Sequence, residues 1–106
     1  DMLGGLWEFP GGKCEPGETL PGCLKREMQE ELAIDVEVGD QVVVVEHAYT
    51  HFSITLHAFN CRLAKGTPRC VDCADFKWVP PDALDALPMS IADRKIAQVI
   101  QQTEEE

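Results

Sequence analysis

The sequence has no long apolar run. Its longest unbroken aliphatic stretch is Val42 to Val45, far short of the ~20 residues that a membrane-spanning helix needs. No charged-then-apolar leader opens it, so nothing argues for secretion. Basic side chains are scarce. Nine Lys plus Arg face 19 Asp plus Glu, which gives a net charge of −10 with the histidines neutral and a pI near 4.6. Autonomous nucleic-acid binders collect Lys and Arg to displace counterions from phosphates. This domain would repel a phosphate backbone unless a metal ion or a basic partner domain intervened. A regular cysteine framework is also missing. Cys14, Cys23, Cys61, Cys70 and Cys73 are an odd count, which suits a reducing, cytoplasmic setting. Cys70 and Cys73 form a single C-x-x-C, but zinc would require two more ligands, and His47, His51 and His57 do not fall at zinc spacing. The pair reads as two small, partly buried thiols.

What is present suits one domain over residues 1–106, because 44% hydrophobic and 26% charged residues are close to the globular norm. There are no repeats and no linker, and the acidic end Glu104-Glu105-Glu106 is expected to fray. Leu6 to Phe9 reads as a strand broken by Pro10-Gly11-Gly12, and Glu15-Pro16-Gly17 as a turn. Thr19 is a candidate N-cap for a helix to about Leu32. Pro21 sits harmlessly in its first turn, and Leu24, Met28 and Leu32 form its buried stripe. Gln41 to Thr50 reads as a strand covered on both faces. Phe52 to Phe59 alternates as a second strand, with a loop at Lys65 to Pro68. Phe76 to Val79 reads as a short strand stopped by Pro80-Pro81, and Asp82 to Leu87 as one or two helical turns. A final helix begins at Ser90-Ile91 and carries Ile96, Val99 and Ile100 on one side. The order β–α–β–β–β–α predicts a mixed α/β domain, a sheet with helices on its faces.

The informative segment is Gly12-x5-Glu18-x7-Arg26-Glu27-Met28-Gln29-Glu30-Glu31-Leu32-Ala33-Ile34. At ~100° per residue, Glu27, Glu30 and Glu31 lie within an arc of about 100°. Leu24 and Met28 lie only ~20–60° further round, so the acids border the buried face. Like charges there repel unless a cation sits among them, and Mg²⁺ or Mn²⁺ shared with substrate phosphates is the natural occupant. Clustered Glu on a helix is more often a solvated face. Against that reading stands the whole pattern, with Gly11-Gly12 before the helix, Glu18 at its entry and Arg26 beside the acids.

This segment resembles the Nudix box, G-x5-E-x7-R-E-U-x-E-E-x-G-U with U aliphatic. It departs at one fixed position, Ala33, where the family usually has Gly. The resemblance implies an α/β Nudix fold, a mixed β-sheet sandwiched between helices, with its first strand lacking ahead of Asp1. It also implies an Mg²⁺- or Mn²⁺-dependent hydrolase of nucleoside diphosphates linked to another group. Gly12, Glu27, Glu30 and Glu31 would be metal ligands, with one Glu orienting or deprotonating water. Arg26 would hold the carboxylates and Glu18 would brace the loop. Such chemistry needs charge neutralisation and an aligned water more than a covalent nucleophile.

Leu6-Trp7-Glu8-Phe9-Pro10-Gly11-Gly12-Lys13 is similar to the MutT-like branch, whose substrates include oxidised purine nucleoside triphosphates such as 8-oxo-dGTP. That likeness offers Asp72 as an additional metal ligand and Asp93 as a contact to the purine base, although Ser90-x-x-Asp93 is equally a capping box. Leu3-Gly4-Gly5-Leu6-Trp7 with Tyr49-Thr50-His51 resembles the C-terminal domain of MutY-type adenine DNA glycosylases. There the three residues would contact 8-oxoguanine by stacking and hydrogen bonding. Two functions follow as expectations. One is a pyrophosphohydrolase giving monophosphate and pyrophosphate. The other is a non-hydrolytic 8-oxoguanine reader that meets nucleic acid only when attached to a glycosylase domain. The intact Arg26-Glu27 and Glu30-Glu31 pairs favour the hydrolase.

Overall fold

The computed structural model describes residues 2–105, apart from the side chains of Leu3, Glu104 and Glu105. It opens with a small antiparallel hairpin, β1 (Met2–Leu3) and β2 (Leu6–Trp7). Gly4 and Gly5 turn it with φ of 60° and 82°, a region where a Cβ is costly. The expected strand Leu6 to Phe9 stops at Trp7. Beyond it the Phe9 amide is taken by the Asp93 side chain at 3.3 Å rather than by a neighbouring strand.

Helix α1 (Leu20–Leu32) starts where its local chemistry directs. Thr19 has extended backbone, and its Oγ1 accepts from the Gly22 amide at 3.1 Å, satisfying one of the orphan donors of the first turn. Met28 and Leu32 are buried with Ile34 and Val36, while Leu24 packs at the edge of that cluster. The helix ends at Ala33, which adopts a left-handed conformation (φ 57°, ψ 39°) and donates its amide to Gln29 O at 3.0 Å.

Strands β3 (Asp35–Ala48) and β4 (Ser53–Lys65) form a long antiparallel hairpin. β3 begins well before the expected Gln41. Register shifts between Val38 and Gln41 and between Gln41 and Val43 absorb Gly39-Asp40 and the change of alternation. The pairing therefore continues out to Asp35 opposite Lys65. Both helices pack against β3. Val45 and Val43 share one face with Leu56 and Ala58 and meet Ala92 and Ile96. Val44, on the other face, is 39% exposed, so the valine run is not covered on both sides as expected.

Phe76 to Val79 is not a strand. Only Asp75 bridges, to Met2, and Trp78 is 73% exposed. A segment rich in aromatic and β-branched residues but without a partner edge cannot form a ladder. A 3₁₀ segment (Pro81–Ala86) follows, and then α2 (Ile91–Glu105), with Ile96 buried and Val99 and Ile100 half-buried. Arg94 clamps the 3₁₀ segment by donating to Leu84 O at 2.8 Å and to Leu87 O. Of the acidic end expected to fray, Glu106 lies outside the described residues. No helix among the described residues is long and apolar enough to cross a membrane.

Candidate active site

The loop from Gly11 to Glu18 folds back on α1 through Arg26. The guanidinium donates to both Glu18 oxygens, Nε to Oε2 at 2.7 Å and Nη2 to Oε1 at 2.9 Å. Nη2 also reaches Lys13 O at 3.1 Å. Glu18 additionally accepts from the Glu15 amide at 2.7 Å. The bond to Arg26, then that from the Glu15 backbone, holds the Glu18 carboxyl down at about 2. On its other side Arg26 Nη1 donates to Glu27 Oε1 at 2.9 Å and Glu30 Oε2 at 3.1 Å. One cation thus ties the loop to the acidic ridge, in the forked geometry that only arginine supplies.

Glu27 lies directly over Gly12, so closely that a Cβ at position 12 would overlap its carboxyl group. Glu31 reaches the same loop, where its Oε2 accepts from the Gly11 amide at 3.3 Å. Burial, together with the negative charges of Glu27 and Glu8, pushes the Glu31 carboxyl up to about 7. The Glu8 carboxyl is likewise raised, by burial and by Asp93. Four carboxylates thus follow one another from α1 to the start of α2: Glu27, Glu31, Glu8 and Asp93. Glu30 remains exposed and turned onto Arg26.

These residues fit a hard divalent cation. Among the described residues no three His, Cys, Asp or Glu side chains converge as a ready-made cage. Mg²⁺, however, is commonly held by one or two carboxylates, its remaining positions filled by water and substrate phosphates. Glu27 and Glu31, mutually repelling beside a loop in which position 12 has no room for a side chain, match that donor set.

The other predicted residues are engaged differently. Asp72 is exposed in the loop after β4, and its amide is 3.4 Å from the Glu31 carbonyl oxygen. Asp93 is engaged within the protein. Its Oδ1 accepts from Phe9 N, its Oδ2 accepts from Ser90 Oγ at 2.8 Å, and its amide donates back to Ser90 Oγ at 3.3 Å. Tyr49, Thr50 and His51 occupy the β3–β4 turn, closed by Tyr49 N donating to Phe52 O at 2.7 Å. The Tyr49 ring stacks on Phe52 at 4.8 Å and meets His47 edge-on at 4.7 Å. The turn therefore stands apart from the carboxylates in sequence while presenting an exposed aromatic cluster. Glu8 is the residue that sequence reasoning missed. Its only signal is a carboxylate between Trp7 and Phe9, just ahead of the glycine loop. Beside it an apolar cavity of about 290 Å³ is lined by Trp7, Phe9, Met28, Leu32, Phe76 and Trp78, among others.

Residues 1–99 match the model of the NUDIX domain, and the chain belongs to the Nudix domain family. Nudix hydrolases generally use divalent metals and act on nucleotides. Among its relatives, the CTP pyrophosphohydrolase of Escherichia coli K12 is 36% identical over 89 residues, covering 84% of this chain and 66% of that protein. An 8-oxo-dGTP diphosphatase of Buchnera aphidicola is 30% identical over 95 residues, covering 90% and 77%. The solution structure of the E. coli ORF135 protein superposes with a TM-score of 0.83 at 31% identity, over 94% of this chain and 71% of that one. The chain thus spans just under two thirds of the length of the E. coli pyrophosphohydrolase.

Proposed function

We propose that this domain is a divalent-metal-dependent pyrophosphohydrolase of MutT type. Its substrate would be a purine nucleoside triphosphate, oxidised ones such as 8-oxo-dGTP included, and its products a monophosphate and pyrophosphate. The observation that carries the reading is the convergence of Glu27 and Glu31 on the Gly11-Gly12 loop, with Arg26 and Glu18 bracing that loop from the opposite side. A bound Mg²⁺ or Mn²⁺ would be held by Glu27, Glu31 and Gly12, with Glu30 as the third carboxylate and Asp72 as an outlying one, and would neutralise charge on the phosphoryl groups. Glu31, its orientation fixed by the Gly11 amide, positions and deprotonates the attacking water. Arg26 keeps Glu27 in place, and Glu18 keeps Arg26 in place. The apolar cavity beside Glu8 offers aromatic contact to a flat base. The relatives named for CTP and for 8-oxo-dGTP define the substrates to compare.

The test is pyrophosphate release from 8-oxo-dGTP, dGTP and CTP with Mg²⁺ or Mn²⁺. Wild type turns over at least one of them, and Glu31→Gln lowers kcat by about 10²-fold or more while circular dichroism stays unchanged. No turnover by wild type across a wider panel of nucleoside di- and triphosphates ends this reading.

A second reading draws on the exposed Tyr49–Phe52 stack beside His47. In it the domain is the 8-oxoguanine-reading part of a MutY-type glycosylase and hydrolyses nothing. It requires tighter binding to a duplex with 8-oxoguanine opposite adenine than to the undamaged duplex, lost in Tyr49→Ala, and the net charge of −10 opposes it. On either reading the expected compartment is the cytoplasm.

A further inference from the structure

The C-x-x-C pair has no part in the site described above, yet it sits at the exit of the helix that carries it. The loop from Arg69 to Ala74 is sewn onto neighbouring backbone. Arg69 N donates to Leu32 O at 3.0 Å, Val71 N to Glu31 O at 2.9 Å, and Ala74 N to Met2 O at 3.1 Å. Asp72 N shares the Glu31 carbonyl at 3.4 Å. Two successive amides aimed at one oxygen bend the chain between the cysteines, so that Cys70 and Cys73 flank one short, anchored turn. Cys70 is exposed, and Cys73 is half-buried against the Met28–Val36 cluster. Cys14 and Cys23 are the other candidate pair, but Cys23 is only 3% exposed and its Sγ lies 3.9 Å from Gly12 O and 4.0 Å from Arg26 Nη2. A disulfide there would have to pull that sulfur out of its pocket.

We propose that Cys70 and Cys73 form a reversible disulfide site, oxidised by low-molecular-weight disulfides of the form RSSR. The Cys70 sulfur, having lost its proton, attacks one sulfur of RSSR. That S–S bond breaks, and the first RS⁻ leaves and is protonated. Cys73 then gives up its proton to solvent and attacks the Cys70 sulfur of the mixed disulfide, expelling the second RS⁻, which is protonated in turn. Two protein thiols are oxidised by two electrons, and one RSSR becomes two RSH. The closed ring locks the turn whose amides hold the last carbonyls of α1. This site is independent of whether the domain hydrolyses nucleotides.

The experiment incubates the reduced protein with oxidised glutathione at mildly alkaline pH, titrates its thiols in denaturant and maps the linkages by mass spectrometry. Two of the five thiols disappear, and the peptide holding both Cys70 and Cys73 is lighter by two hydrogens. Dithiothreitol restores both thiols, and Cys70→Ser abolishes the linkage. Retention of all five thiols, arrest at a glutathione adduct on Cys70, or a linkage mapped to Cys14 and Cys23 instead overturns the proposal.

Discussion

At the scale of single residues, Gly12 and Glu31 make opposite demands. Gly12 is needed for space rather than for an unusual φ. A methyl group there meets the Glu27 carboxyl, the movable end of a side chain, so the fold can yield while the carboxylate shifts. Gly12→Ala is therefore expected to leave the unfolding midpoint nearly unchanged and to lower kcat/KM roughly 10- to 100-fold, because small misplacements of reacting groups are expensive. Steady-state kinetics beside a urea melt separates the two effects. Glu31 is crowded by burial and by like charges, a situation that a bound cation reverses. Its neighbour Glu8 was not legible in the sequence, since the link to Asp93 spans residues far apart in the chain and exists only once α2 has docked.

At the scale of elements, α1 was readable in full from nearby residues: the Thr19 cap, Pro21 in the first turn, and the stripe of Met28 and Leu32. Its exit was readable as a problem, because Ala33 stands in a left-handed conformation that costs an L-residue about 1–2 kcal/mol. Glycine escapes that cost while losing about 0.5–1 kcal/mol more backbone entropy. Ala33→Gly is thus expected to stabilise the fold by about 0.5–1 kcal/mol, seen as a higher urea midpoint at constant m-value. The strands were less legible. The hydrophobic alternation of β4 showed its core, but the start of β3 depends on bulges around Gly39-Asp40 that only the pairing with β4 reveals. Phe76 to Val79 had the composition of a strand and no edge to join, which composition cannot report.

At the scale of the molecule, acidity and burial combine into a distinctive pH response of the metal-free protein. Glu31 has a folded-state pKa raised to about 7. The folded state therefore binds more protons than the unfolded one between about 4.5 and 7, and stability grows as pH falls through that window. Glu18 is held down at about 2, so its contribution, present above about 4.5, is lost as pH falls further towards 2. Thermal melts in chelator should show Tm rising from pH 7 to about pH 5 and then dropping. A Tm that declines steadily from pH 7 downward would contradict the crowding of Glu31, and Glu31→Gln should flatten the upper limb. The loop from Arg69 to Ala74 has a last bearing on how the protein holds together. It is stitched to the end of α1 on one side and to Met2 on the other, so a change that loosens the small β1–β2 hairpin slackens the same short peptide that steadies the backbone at Glu31.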